Sequence, residues 1–192
     1  MFGRHRLTAS HLLSALRIMT ALLLMQHVKA AMAYEFYVTV DGTKQGRFKG
    51  ESKREQHAHK LAGVSFSYEV SSPRDASTGQ ATGKRRHGPV TFTKAWGAAT
   101  PQLFQALVTN EVLRSVLFEF VRSGEDGTEQ IFQTIRLTNV GVAAIKQYVV
   151  PEPSAAAAPR ELEDISLAFQ IIDIENKLGG TIASDDRGSG SP

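Results

Sequence analysis

Cysteine is missing altogether from this 192-residue chain, and its absence removes disulfides, thiol nucleophiles, thiolate zinc sites and iron–sulfur clusters. The fold must hold by packing and hydrogen bonds alone. Long apolar runs are missing too, and none would carry a helix across a bilayer, which argues against an integral membrane protein. Net charge is lacking where it would count. The formal charge is +3, yet residues 1–31 contain Arg4, Arg6, Arg17 and Lys29 and no acid. Setting those four aside leaves 18 basic residues against 19 acids, a body of charge −1 from Met32 onward. A nucleic-acid partner gains no support from that balance. What is present, 42% apolar and 21% charged residues, suits one globular domain.

The first 31 residues have the outline of a secretory leader: basic Arg4-His5-Arg6, an apolar run through Leu22-Leu23-Leu24-Met25, and small Ala31 and Ala33 before Tyr34. Arg17 interrupts the run, and Gln26, His27 and Lys29 stand where a cleavage segment is small and neutral. We therefore read 1–31 as an upstream extension or leader-like segment and Met32 as the expected start. Residues 32–176 are expected to form the domain, and 177–192, rich in Gly, Ser and Asp, a disordered tail.

Within the domain apolar residues recur at every second position, the period of strands with one buried face. Tyr34–Val40 ends at the turn pair Asp41-Gly42. Leu61–Ser71 sets Val64, Phe66, Tyr68 and Val70 against Ser65, Ser67, Glu69 and Ser71. Pro73–Arg86 reads as a mobile surface loop before a strand over Gly88–Ala95. Thr100 as N-cap and Pro101 at the first position open a helix with Leu103, Phe104, Leu107 and Val108 on one face, closed by Asn110. Val116–Arg122 and Gln130–Thr138 form a hairpin, Val140–Val149 another strand, Pro151–Pro159 a long loop, and Ile165–Ile174 the last strand. The expected fold is mainly β, an antiparallel barrel of about seven strands with one short helix packed at its side. Leu117, Val121 and Phe132 look apolar on outward faces, which predicts contacts with further copies of the chain.

The polar candidates lack companions. His57 and His59 have the i, i+2 spacing of a strand metal site, but no third ligand is near, and two solvated histidines are the simpler reading. Lys84-Arg85-Arg86-His87 reads as a solvated loop end or subunit contact. Asp173 with Glu175, or Glu161, Glu163 and Asp164, could be paired carboxylates; no nucleophile stands beside them. Ser52 and Ser67 have no nucleophile-elbow context, and no glycine-rich phosphate loop precedes the helix. The sequence nominates no enzyme, cofactor or metal.

Lys49-Gly50-Glu51-Ser52-Lys53 after the first strand resembles the loop signature of the haemolysin co-regulated protein (Hcp) family, the tube subunit of bacterial type VI secretion. Matches follow in order: His57, Phe66-Ser67-Tyr68, Phe92-Thr93-Lys94, Thr100-Pro101-Gln102-Leu103, Arg122-Ser123-Gly124, and Ile165-Ser166-Leu167-Ala168-Phe169. The resemblance implies a homo-hexameric ring, rings stacked into a hollow tube, sheath and spike proteins as partners, and small effectors held in the lumen. It implies lumen contacts at Ser67, with Ser65 and Glu69 on the same strand face, and a ring-contact loop at Gly50, Glu51 and Ser52. It also implies assembly in the cytoplasm, export through the type VI system and no functional signal peptide, with neither nucleic acid nor membrane insertion. Two segments depart from the pattern, the stretch from Thr43 to Lys49 and the Pro151–Pro159 loop. The alternative is a periplasmic or secreted monomeric β-barrel binding protein with a cleaved leader.

Overall fold

Strands that are apolar on one face must roll that face inward or find it a cover, and this chain rolls it inward. The computed structural model describes residues 35–124, 127–151 and 160–188. The chain divides into two units, Met1–Ala33 and Tyr34–Pro192; the first, with the leader-like segment and Met32, lies outside the described residues, as does most of the Pro151–Pro159 loop.

The second unit contains β1 (Glu35–Gly42), a 3-10 turn (Glu55–His57), β2 (Leu61–Ser67), β3 (Val70–Ser71), β4 (Arg86–His87), β5 (Val90–Ala95) and helix α1 (Ala99–Val108). There follow β6 (Leu113–Ser123), β7 (Glu129–Val150), β8 (Arg160–Ala168), β9 (Ile171–Asn176) and β10 (Thr181–Asp186). One eight-stranded sheet runs β10-β9-β7-β6-β1-β2-β5-β8, and β8 pairs again with β7. The barrel therefore closes through β7, β6, β1, β2, β5 and β8, and β9–β10 extend it as a hairpin. Strands β3 and β4 pair apart from it.

Closure depends on β7. The expected strands Gln130–Thr138 and Val140–Val149 are one 22-residue element, bent at Asn139, whose φ of 52° lies in the left-handed region. Before the bend β7 pairs with β6 and β9; after it, with β8. Conversely, the expected strand Ile165–Ile174 is broken between β8 and β9, and Gln170 turns back to hydrogen-bond Thr138 and Asn139.

Phe36, Val38, Val40, Phe92, Phe118, Ile135, Leu137, Ile165 and Leu167 fill the interior, each fully buried large side chain contributing on the order of 1.5–3 kcal/mol. Phe118 packs edge-on against Phe92 at 5.4 Å and Phe66 at 5.1 Å. The register of β2 shifts between Gly63 and Ser65. Val64 is the extra residue, so the inward set passes from Leu61 and Gly63 to Phe66. This corrects the expected apolar face, because Val64 and Val70 are exposed. A Cβ on Gly63 would lie 1.9 Å from the Phe36 ring, so only glycine leaves room for that ring.

The helix differs from expectation at its start. Ala98, not Thr100, occupies the cap position, and Pro101 sits within the first turn, where no N–H is needed. The buried face is Ala99, Leu103 and Ala106, whereas Phe104 and Val108 are exposed. Asn110 closes the helix with a φ of 50°, as expected.

The tail is also corrected: residues 181–186 form β10 in register with β9. Composition hid this strand because backbone pairing, not apolar burial, holds it. Asn176 accepts the N–H of Gly179 at 2.7 Å, and Gly180 supplies a φ of 61°. Pro73–Arg86 likewise carries an ordered turn. Asp75 accepts from the hydroxyls and N–H groups of Ser77 and Thr78, which lowers its carboxyl to about 2, the Ser77 hydroxyl being the largest cause.

Candidate functional site

Strand alternation sends Ser65 and Ser67 of β2 outward beside Thr93 and Thr91 of β5, and these beside Asp164 and Ser166 of β8. Lys146 and Ala144 in the second half of β7 complete the rows. Small polar groups thus cover β2, β5 and β8, with Ala144 and Lys146 of β7 at their side. They are joined sideways: Ser65 Oγ meets Thr93 Oγ1 at 2.7 Å, Thr93 donates to Asp164 Oδ1 at 2.6 Å, and the Tyr148 hydroxyl donates to the same oxygen at 3.0 Å. Thr91 and Ser166 hydroxyls lie 3.3 Å apart. Desolvation first, then the bond to Asp164, holds the Tyr148 phenol above its ordinary range. Ser67 is exposed on this face. Glu69 is not in the same strand, since β2 ends at Ser67; its side chain is exposed and its carbonyl accepts Gly88 N–H at 2.9 Å.

Behind that face, the interior carries an ion pair. Lys94 and Glu163 continue the inward sets of β5 and β8, and their charges meet at 2.8 Å with side-chain exposures of 2% and 0%. Thr100 donates to Glu163 at 2.8 Å and Gln147 at 3.0 Å, while Lys94 also reaches Ala95 O at 2.7 Å. A buried pair whose two carboxylate oxygens and ammonium are all hydrogen-bonded is tolerated; either partner alone would not be. The signal was in the sequence: Val90, Phe92 and Lys94 share a parity, as do Leu167, Ile165 and Glu163.

Gly50, Glu51 and Ser52 have roles within one chain. The backbones of Gly50 and Ser52 bond to His59 and Lys60, and a Cβ on Gly50 would lie 2.2 Å from the Lys60 carbonyl carbon. Glu51 reaches the start of α1, where its carboxylate accepts the N–H groups of Ala98 and Ala99. It supplies the acidic cap that the helix lacks locally.

The histidine reading is corrected. His57 is buried, stacked on Tyr37 at 3.9 Å and bonded through Nε2 to Glu129. Arg54 bridges Glu129 at 2.7 Å to Glu35 at 2.8 Å, and Lys60 pairs with Glu119 at 2.6 Å. The 3-10 turn breaks strand parity and folds His57 inward, leaving His59 exposed with a φ of 63°. Burial, then the hydrogen bond to Glu35, pushes the Tyr37 phenol up to about 12. At the other end of this loop, Glu111 from the link between α1 and β6 is buried and accepts from Lys44 N, Gln45 N and Gln45 Nε2 at 2.7, 2.9 and 2.9 Å. Burial alone would raise its carboxyl, but these bonds prevail and lower it.

The basic run is partly anchored: Arg85 and His87 both engage Asp185 of β10, and His87 Nδ1 meets the Tyr68 hydroxyl at 2.6 Å. The carboxylates proposed as pairs are dispersed. Asp173 accepts from Ser184, Glu175 pairs with Lys177, Glu163 with Lys94, and Asp164 serves the outer face. Among the described residues no three His, Asp or Glu side chains converge as for a metal, and no helix is long and apolar enough to cross a membrane.

The family described as "Type VI secretion system effector, Hcp" matches residues 37–175. The Major exported protein of Pseudomonas aeruginosa is 32% identical over 166 residues, spanning 81% of this chain and 96% of that protein. A crystal structure of an Hcp protein superposes with a TM-score of 0.73 at 26% identity, over 80% of this chain and 99% of the other. The secreted protein Hcp3 of P. aeruginosa does so at 0.66 and 27%, over 80% and 98%.

Proposed function

This chain belongs to the Hcp family and is a type VI secretion tube subunit, and from that premise we propose that six copies close into a ring whose bore is lined by the outward face of β2, β5, β8 and the second half of β7. One observation carries the assignment: Ser65, Ser67, Thr91, Thr93, Asp164 and Ser166 form a continuous face of short polar side chains, several bonded to one another. Such a face stays wetted and presents no apolar anchor to bind other proteins tightly.

Rings stack into a tube that sheath and spike proteins deliver, and small effectors travel in the bore against Ser65 and Ser67, with Glu69 at its margin. The loop at Gly50, Glu51 and Ser52 stands at ring contacts, its backbone braced by Lys60 and its carboxylate by α1. Chemistry on a substrate is no part of this role. The protein is exported by the type VI system, and we place its assembly in the cytoplasm.

Electron microscopy of the purified full chain tests the ring. Six-fold rings about a clear bore are expected. A monodisperse monomer by light scattering at micromolar concentration would sink the reading.

A further inference from the structure

After β2 the chain leaves the barrel over residues 68–88 and returns at β5. The two-residue ladder of β3 with β4 and the turn at Asp75 hold this excursion to itself. Among the described residues, the side-chain hydrogen bonds that tie it to other parts of the chain all end on β10. Arg85 engages the Asp185 carboxylate and donates to Asp186 O at 3.1 Å, and His87 Nε2 meets Asp185 Oδ2 at 2.9 Å. Arg85 first, then His87, hold the Asp185 carboxyl below its ordinary range.

Behind this charged layer is an aromatic one. His87, its side chain 4% exposed, meets the Tyr68 hydroxyl through Nδ1 at 2.6 Å. The His87 and Phe169 rings stand edge-on at 5.8 Å, and those of Tyr68 and Phe169 at 6.0 Å. Arg187, next after β10, lies over Phe169 at 5.4 Å and donates to its carbonyl at 3.2 Å.

Neither side of this contact is stable by its own means. The barrel closes without β10, which pairs with β9 alone. Ile182 of β10 is 70% exposed and Val70 of β3 51%, so neither ladder has an apolar face buried beneath it, and short ladders of that kind are marginal.

We infer that residues 68–88 and β10 form one clasp, which opens and shuts as a single unit while the barrel stays closed. Arg85 and Asp185 are 100 positions apart, yet releasing either segment breaks the same set of bonds, which is what makes a locally unfolding unit cooperative. Shut, the clasp fixes where the exposed Arg74, Lys84 and Arg86 stand. Strand β10 thereby orients a basic surface to which it contributes no cation.

Amide hydrogen exchange in the full chain tests the clasp from both sides. Gly88 N–H, bonded to Glu69 O, and Thr82 N–H, bonded to Pro73 O, report on the excursion; Arg187 N–H, bonded to Gln170 O, reports on β10. Asp185→Asn is expected to speed all three by a common factor of about tenfold, with the amides of β1 and β6 unchanged. Tyr68→Phe should speed the same three by a smaller common factor. Arg85→Gln combined with Asp185→Asn should fall well short of the sum of the two, since both remove one contact. Exchange that quickens only on the mutated side would overturn the clasp. So would protection of the three amides equal to that of β1 and β6, because they would then open only with the barrel.

Discussion

Over β1 the outward side chains are roofed: Tyr37 is buried under His57, and Arg54, Glu129, Glu35, Lys60 and Glu119 interlock across it. Over β2, β5 and β8 the outward side chains around Ser65, Thr93 and Asp164 are short and polar, and Ser65 and Ser67 stand exposed. Both faces arise from the same alternation on adjoining strands. What separates them is the 18-residue connection between β1 and β2, which returns across β1 and leaves its other neighbours open. Polarity on an outward strand position is therefore no guide to exposure. Tyr37 and Thr39 are polar and buried, whereas Ser65 and Ser67 are polar and free to meet something else.

The contrast can be broken from behind, from above and from the open side. Removing the interior support of the open face is expected to have the largest effect: Glu163→Leu strands the Lys94 charge and should lower stability by about 3–5 kcal/mol. Adding Lys94→Met should recover most of that loss in chemical denaturation. His57→Ala opens the roof; with a charge-assisted hydrogen bond and the Tyr37 stack both gone, a loss of about 2 kcal/mol is expected by the same measurement. The roof also has a pH signature. Tyr37 ionises near 12 when folded against 10.0 when free, so its stabilising contribution is complete below pH 10 and fades as pH rises toward 12. Tyrosinate absorbance should show a phenol ionising near 12 that Tyr37→Phe removes. Ser65→Ala should change monomer stability by less than about 0.5 kcal/mol; a larger loss would mean that the open face is structural after all.

The strands and the Ser65–Ser67 parity were legible because an apolar residue at every second position has only one physical explanation. The departures each have a local cause. Val64 adds a residue where the alternation looked unbroken, so the expected inward set was wrong on one side of the bulge. Asn139 bends a strand without ending it, and two elements became one. β10 was invisible because Thr181–Asp186 contributes a ladder and the Asp185 anchor to Arg85 and His87, not apolar bulk. Lys94 and Glu163 could have been found by extending parity to charged residues. Nothing in the sequence placed Glu51 at the helix start, since the link spans 47 residues.

That link bears on how the chain folds. Ten residues without a cap of their own make a marginal helix in isolation, and α1 gains its cap only after Glu51 has been brought across the barrel. A contact so distant in sequence forms late, once shorter-range strand pairing has brought its ends together. The helix is thus a signal of completion: a nascent or misfolded chain would lack it, and its apolar stripe becomes a defined surface only on molecules that have finished folding.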